Sequence, residues 1–443
     1  MKNSKNLFII LLLVLTIVWF LADTLAPEPF TYFSFRAVFV QYSGVIAMSL
    51  MSVAMLLALR PKFIEPYLDG LDKMYRLHKW LGITAAIFAI SHWWMAQGTK
   101  WMVGWGWLEK PVRKAGQGRE LSEIESFFRS QRGFAESVGE WAFYGAIILI
   151  VLALIKYFPY HWFVKTHKLI AISYLVLVYH TIILMKLDYW VQPVGWIMAL
   201  LLLGGTISAI LTLTGKIGAS RKAQGTVSKL NYYPNLKVLE TTITMDENWK
   251  GHEAGQFAYV TVDKSEGAHP YTIASAWNDK KELVFITKAL GDHTSRLKDK
   301  LKEGMNLTVE GPYGCFDFKD EQEHQIWVGA GIGITPFIAK LKQRKQSAKN
   351  ISVDLFHPTA EFEETAIEQL KKDAKEAGVN IHILVSGKDK RLSAEQIRSE
   401  VSAWKSSSIW FCGPQGFGQT LKEDFITNGL DAKHFHQEIF QMR

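Results

Sequence analysis

Four histidines set in long apolar stretches are the residues of this chain best placed to do chemistry. His78 and His92 sit at the two ends of LHKWLGITAAIFAISHW, and His167 and His180 bracket a second apolar run. On a helix the fourteen steps from His78 to His92 return to within about 40° of the same face, roughly 21 Å further along. The thirteen steps from His167 to His180 give about 220° of phase, so those two rings would not share a face. A local distortion or a different approach to the metal must absorb that difference. If both helices cross a membrane in the same direction, His78 faces His167 near the inner surface and His92 faces His180 near the outer one. Two bis-imidazole sites at two depths suit two b-type haems, held by iron coordination alone. Zinc would want its ligands at one depth, and no C-x-x-C-H is present for a c-type haem. Satisfied core histidines or a proton relay are the competing readings. Polar groups inside a membrane are functional by default, and four at paired depths favour haem. His161, in the short connection before Lys165, fits such a site less well.

The elements that must carry these rings are long apolar blocks in the first half of a 443-residue chain that is 49% hydrophobic and holds 16 Trp. The blocks fall at about 7–25, 37–59, 77–97, 139–157, 165–185 and 192–213, each near the roughly 20 residues that cross a hydrocarbon core. The first resembles a signal peptide in having Lys2 and Lys5 before an apolar run, but the run is long for that and a retained span is favoured. The net charge of +8 does not point to nucleic acid, because many Lys and Arg flank the apolar blocks, as membrane topology requires. Cys315 and Cys412 are the two cysteines, so no disulfide framework is implied and a reducing compartment fits. The remaining residues have ordinary globular composition.

Residues 226–318 hold short β-branched runs broken by Gly and Pro, the pattern of a small antiparallel barrel. Within it stands His269-Pro270-Tyr271-Thr272, an aromatic that can pack on an isoalloxazine followed by a hydroxyl that can reach its N5. In Gly291-Asp292-His293-Thr294 a glycine and a hydroxyl precede a helical stretch and can cradle a pyrophosphate with backbone N–H groups. The run from Gln325 to Phe337, QIWVGAGIGITPF, is an apolar strand entering a Gly-x-Gly-x-Gly turn that opens a helix. That is the context in which a glycine loop binds dinucleotide phosphates, although the spacing is not G-x-G-x-x-G. Alternating strands and helices follow at 351–356, 363–377, 379–385, 393–404 and 408–412, an α/β domain.

The ordered set of paired histidines, His-Pro-Tyr-Thr, Gly311-Pro312-Tyr313-Gly314, the Gly329–Phe337 loop and Phe411-Cys412-Gly413-Pro414 resembles the ferric reductase/NADPH oxidase family, most closely its compact bacterial NADPH oxidases without EF-hands. The resemblance covers nearly the whole chain. It implies an all-α six-helix transmembrane bundle with two haems (1–215), an antiparallel β-barrel FAD domain (216–322) and an α/β NAD(P)H-binding domain of the ferredoxin reductase type (323–443). The haem-iron ligands would be His78, His92, His167 and His180, and the family shares the 14 and 13 spacings. His269, Pro270, Tyr271 and Thr272 match the FAD motif, with Gly291 and Thr294 at its phosphates, and Gly311 and Pro312, in the Gly311–Gly314 motif, count with the cofactor-binding residues. Gly329, Gly331, Gly333 and Thr335 match the NAD(P)H pyrophosphate loop, and Cys412 and Gly413 lie where the nicotinamide approaches. Phe440 matches an aromatic that stacks on the flavin until nicotinamide displaces it, though three residues follow it here; it could equally anchor the tail in a crevice.

On this resemblance the expected activity is electron transfer from cytosolic NAD(P)H through FAD and two b-type haems to an external acceptor. The cytosolic cofactors fix the orientation that the Lys/Arg balance only leans toward. The acceptor expected is O2, giving superoxide; a ferric chelate or a periplasmic protein partner are the alternatives, as is a flavin-only reductase with a structural membrane anchor. Arg36 could bind superoxide or a haem propionate, or serve as a topology charge. Trp101, Trp105 and Trp107 in loop 98–138 could shape access or cap the outer haem. Tyr174 lies between the two ligands of its span and could stand between the haems or be ordinary packing. NADPH is placed slightly ahead of NADH, although the second strand of the last domain ends Phe356-His357-Pro358-Thr359-Ala360-Glu361 without the arginine common in NADPH-specific relatives. Lys388, Lys390 and Arg391 could replace it. No EF-hand loop stands out, so no cytosolic activator is expected, and the protein is placed in the bacterial inner (plasma) membrane.

Overall fold

The computed structural model describes residues 2–109, 121–263, 265–346 and 351–438, without the side chains of Lys2, Asn3 and His161. The chain divides into two compact units: Met1–Ile64 with Lys73–Ile217, and Gly218–Arg443 joined by the short segment Glu65–Asp72.

The first unit is helical. Its helices are α1 (Lys2–Phe20), α2 (Tyr32–Ala58), α3 (Leu71–Trp93), α4 (Thr99–Gly104), α5 (Glu123–Leu154), α6 (Tyr160–Leu184) and α7 (Pro193–Leu213). α2 packs on α7, α5 lies along α6, and α6 rests on α7. α2 turns Ser43, Ala47, Ser49 and Ser52 inward, small residues that let apolar helices approach closely. Among the described residues four helices are long and apolar enough to cross a membrane: α2, α5, residues Trp162–Leu184 of α6, and α7. α1 is apolar but shorter, and α3 carries Asp72, Lys73, Arg76 and Lys79 in its first turns. Of the six spans expected from the blocks, four meet that length and composition among the described residues. α5 begins at Glu123, not near 139, because Ser122 and Glu125 close a reciprocal capping box over its first turn. The expected loop 98–138 thus holds α4 and the first turns of α5, and α3 leads into α4 through a π-helical turn, Trp94–Gly98.

The second unit holds two sheets. Strands β1 (Lys222–Tyr233), β2 (Val238–Met245), β3 (Phe257–Thr261), β4 (His269–Thr272), β5 (Glu282–Lys288) and β6 (Asn306–Tyr313) form an antiparallel sheet in the order β4-β3-β6-β1-β2-β5. Among the described residues strand pairing does not close this sheet into a barrel; an isolated bridge, Ile273 to Phe285, reaches across from the β4 edge to β5. Helix α8 (Asp292–Lys300) follows β5. Strands β7 (His324–Gly329), β8 (Ser352–Thr359), β9 (Asn380–Val385), β10 (Ser407–Cys412) and β11 (Phe435–Glu438) make a parallel sheet ordered β11-β10-β7-β8-β9. Helices α9 (Thr335–Arg344), α10 (Glu364–Glu376), α11 (Ala394–Glu400) and α12 (Gln415–Thr427) supply the crossovers that parallel pairing demands. Strand order reverses between β7 and β10, a switch point at whose carboxyl ends ligands bind in open α/β sheets.

Candidate functional site

The first unit brings the four histidines together as two pairs. The rings of His78 and His167 have centroids 5.9 Å apart with planes at 65°, and those of His92 and His180 are 6.3 Å apart at 74°. Two metal–imidazole bonds of roughly 2 Å on opposite sides of one ion, plus the depth of each ring, bring the centroids to roughly 6 Å. The spacing therefore fits an iron between the members of each pair. The Nδ1 atoms of three rings face backbone carbonyls: Ala54 O for His78 at 2.9 Å, Val40 O for His92 at 2.9 Å and Ala135 O for His180 at 2.8 Å. A carbonyl can only accept, so these nitrogens carry the proton and Nε2 keeps its lone pair for a metal. Val40 and Ala54 are fourteen apart on α2, in step with His92 and His78 on α3.

How those carbonyls become reachable was not read from the sequence. A helical side chain leans back over the turn before it, so the residue four places on tends to cover a given carbonyl. Those residues are Gly44 after Val40, Ala58 after Ala54 and Gly139 after Ala135, each small. A Cβ at Gly139 would lie 2.0 Å from Nδ1 of His180, and one at Gly44 3.2 Å from the ring of His92. The thirteen-residue phase problem is met here: His180 leaves α6 toward α5, through the gap that Gly139 keeps open.

His92 and His180 line a cavity of about 990 Å³ together with Arg36, Gly44, Trp93 and Gly139, at the upper end of the range usual for cofactor sites. Arg36 turns its guanidinium to the π-helical turn, with Nε donating to Met95 O at 2.9 Å and Thr99 Oγ1 at 3.1 Å, and Nη2 to Ala96 O at 3.2 Å. Tyr174 is fully buried. Its hydroxyl donates to Ser52 Oγ at 2.7 Å while Ser52 donates to Met48 O at 2.8 Å, and a Cβ at Gly205 would strike the phenol oxygen at 1.9 Å.

In the second unit the flavin-type motifs converge. Tyr271 Oη and His293 Nε2 are 2.7 Å apart, and His293 Nδ1 lies 2.6 Å from Glu266, which also pairs with Lys300. His269 stacks on His293 with centroids 3.6 Å apart and planes at 11°. Glu266 and the two histidines offer ligand atoms within 4.8 Å of one another, but lone pairs in parallel planes do not converge on one ion. Hydrogen bonds from Lys300 and His293 hold the Glu266 carboxyl down to about 2, and burial, then the neighbouring His293, takes His269 to about 4. Thr272 is buried on β4 opposite Phe257. Thr294 Oγ1 accepts the N–H groups of Leu290 and Gly291 at 3.0 and 3.2 Å, so the hydroxyl shapes its own turn. Gly311 and Pro312 lie in the last three residues of β6, and the N–H of Gly314 donates to Glu65 at 2.7 Å.

The glycine loop sits at the switch point. Ala330 N donates to Cys412 O at 2.9 Å, and a Cβ on Gly333 would lie 2.2 Å from that same oxygen, so the turn must pass this close as glycine. Gly331 adopts φ +56°, the left-handed region glycine enters freely. Thr335 donates to Ile332 O at 2.7 Å at the head of α9. Buried His357, not singled out from sequence, places Nδ1 2.7 Å from Gly329 O, fixing the start of the loop from β8. Gly413 follows β10 against Ala330. The Cys412 thiol is fully buried, and burial, with Glu438 nearby, pushes its pKa up. Past β8, Glu361 pairs with Lys288, and Lys388 lies 4.8 Å from the ring of Phe362. Phe440 lies outside the described residues.

A family model described as ferric reductase like transmembrane component matches residues 43–178, and one described as FAD-binding domain matches 223–317. Respiratory burst oxidase homolog protein E of Arabidopsis thaliana is 26% identical over 221 residues, 43% of this chain and 22% of that protein. The putative respiratory burst oxidase homolog protein G of the same plant is 29% identical over 212 residues, 42% of this chain and 24% of that protein. The chain thus spans about a quarter of the length of these relatives. A solved ferredoxin reductase in carbazole 1,9a-dioxygenase aligns with 49% of this chain and 69% of its own at 16% identity and a TM-score of 0.42.

Proposed function

We propose that this chain, an integral membrane protein that fuses a ferric reductase-like transmembrane component to an FAD-binding domain and is homologous to respiratory burst oxidases, is an oxidoreductase carrying electrons from cytosolic NAD(P)H to an acceptor across the membrane. The observation that carries the reading is the pair of facing imidazoles at two places on the same two helices, with centroids 5.9 and 6.3 Å apart. Bound FAD converts a hydride into single electrons, and haem carries electrons one at a time. His78 with His167 would hold the inner haem and His92 with His180 the outer one. Tyr271 and Thr272 would pack against and orient the flavin, and Gly291, Thr294, Gly311 and Pro312 would close around its remaining surface. Gly329, Gly331, Gly333 and Thr335 would hold the dinucleotide phosphates, with Cys412 and Gly413 beside the nicotinamide. Phe440 would cover the flavin face.

We read α1 and α3 as the fifth and sixth spans, and the second unit as an FAD domain to residue 322 followed by an NAD(P)H domain, both on the cytoplasmic side. His92 and His180 would hold the outer haem, and the one-electron chemistry it would supply suits O2 going to superoxide. A ferric chelate is the second reading, favoured by the transmembrane match at 43–178.

The test is full-length protein in detergent with FAD, haem and NADPH. A reduced-minus-oxidised spectrum with b-type bands is expected, together with cytochrome c reduction that superoxide dismutase suppresses. Fast ferric-chelate reduction with little superoxide would select the second reading, and sluggishness with both acceptors would select a protein partner. A spectrum without haem bands would leave a flavin reductase with a membrane anchor.

A further inference from the structure

The four rings differ in how they are held. His78, His92 and His180 each give Nδ1–H to a carbonyl at 2.8 or 2.9 Å, a bond that fixes ring orientation and raises ligand basicity. His167 does not share it: its Nδ1 is buried and has no hydrogen-bond partner among the described residues. Beside the ring lies Phe163, with centroids 5.1 Å apart and planes at 21°. Phe163 is one helical turn earlier on α6, so the two side chains share a face. Phe163 in turn packs with Tyr160, centroids 6.1 Å apart, which steadies the ring against which His167 rests.

We propose that Phe163 is a positioning residue for the inner haem: its ring orients the His167 imidazole where the other three ligands use a carbonyl. The proposal rests on the di-haem reading above. Stacking restricts the tilt of the imidazole but supplies no acceptor for Nδ1–H, so it does not make the ring a stronger donor. The inner iron therefore has one carbonyl-backed ligand, His78, and one stacked ligand, His167, whereas the outer iron has two carbonyl-backed ligands. The inner haem is the more loosely held of the two, and its hold depends on an aromatic side chain at 163.

The experiment uses full-length, haem-loaded protein in detergent, the parent beside Phe163→Leu and Phe163→Tyr. Readouts are the haem-to-FAD ratio, the low-temperature EPR signal of each low-spin haem, and haem transfer to excess apomyoglobin. His92→Leu, which removes the outer haem, assigns the signals. The expected result for Phe163→Leu is a shifted or missing inner signal, an unchanged outer signal, and inner-haem transfer about tenfold faster, the scale on which outer-shell partners act. Phe163→Tyr, which keeps the ring, restores the parent behaviour. Should Phe163→Leu yield no folded protein, Phe163→Met, close in volume, takes its place. Two unchanged signals and an unchanged transfer rate in the folded variant would overturn the proposal while leaving the di-haem reading intact. A parent without b-type haem would instead overturn that reading, and the proposal with it.

Discussion

Gly139→Ala puts a single methyl group between α5 and the ring of His180. The added Cβ would stand 2.0 Å from Nδ1 and 2.7 Å from Cγ and Cε1, whereas real Cβ atoms essentially never come within 3.0 Å of a heavy atom outside their own stretch of chain. The ring must therefore retreat by about 1.0 Å (3.0 minus 2.0), against a tolerance of about 0.2 Å in metal–ligand distance. It also gives up the 2.8 Å bond to Ala135 O. Losing such a partner costs roughly 10- to 100-fold in metal affinity, or about 1.4–2.8 kcal/mol. Alanine in a helix interior gains about 1 kcal/mol over glycine, so α5 itself is not weakened and the damage falls on the ring. Purified Gly139→Ala is expected to hold one b-type haem instead of two, measured as pyridine haemochromogen against FAD. Gly44→Ala meets the His92 ring at 3.2 Å, a few tenths too close, and is expected to keep both haems with a shifted outer signal. Gly133→Ala, with nothing within 4 Å of its Cβ, is the control on the same helix and should match the parent. A full haem complement with an unchanged spectrum in Gly139→Ala, or equal loss in Gly133→Ala, would refute the reasoning.

Glu65 is buried, and burial raises its carboxyl above the ordinary 4.5 even though the Gly314 N–H and Arg221 pull it down. A raised folded-state value means a contribution to stability present below that ordinary value and lost as pH rises through the folded one. Glu65→Gln keeps an acceptor for Gly314 and drops the charge, so its melting temperature should gain on the parent's as pH rises above about 4.5; a constant difference would count against the assignment. Tyr174→Phe removes the bond to Ser52, leaves a buried hydroxyl short of its donor, and should cost about 1–3 kcal/mol in denaturant unfolding with both haems retained. Lys388→Ala should lower kcat/KM for NADPH relative to NADH about tenfold, the worth of a charged hydrogen bond to a phosphate. An unchanged ratio would make Lys388 a solvated loop residue.

Periodicity and motif order carried a large part of the architecture. Continuous apolar blocks, alternating strand and helix patterns, and a strand entering a glycine turn are local properties, because burial and backbone geometry act over a few residues. The parallel sheet follows them closely, with β8, α10, β9, α11 and β10 falling at or near the expected ranges. Two boundaries are set by capping: Thr31 with Ser34, and Ser122 with Glu125, close capping boxes that start α2 and α5 earlier than apolar content alone suggests.

The histidine types and spacings are fixed in the sequence, as are the small residues Gly44, Ala58 and Gly139 that uncover three carbonyls. Which carbonyl each ring meets is not, since Ala54 and His78, Val40 and His92, and Ala135 and His180 lie on different helices and meet through packing. On one helix a thirteen-residue spacing puts the two rings on different faces; the neighbouring helix supplies the gap into which His180 turns. Arg36 was legible as a charge beside a span, but its engagement with the π-helical turn depends on where α3 passes α2. Chain-local chemistry picks out the four histidines; only tertiary packing decides how His78, His92 and His180 are held, because the groups that meet them are backbone carbonyls left uncovered by small residues on another helix.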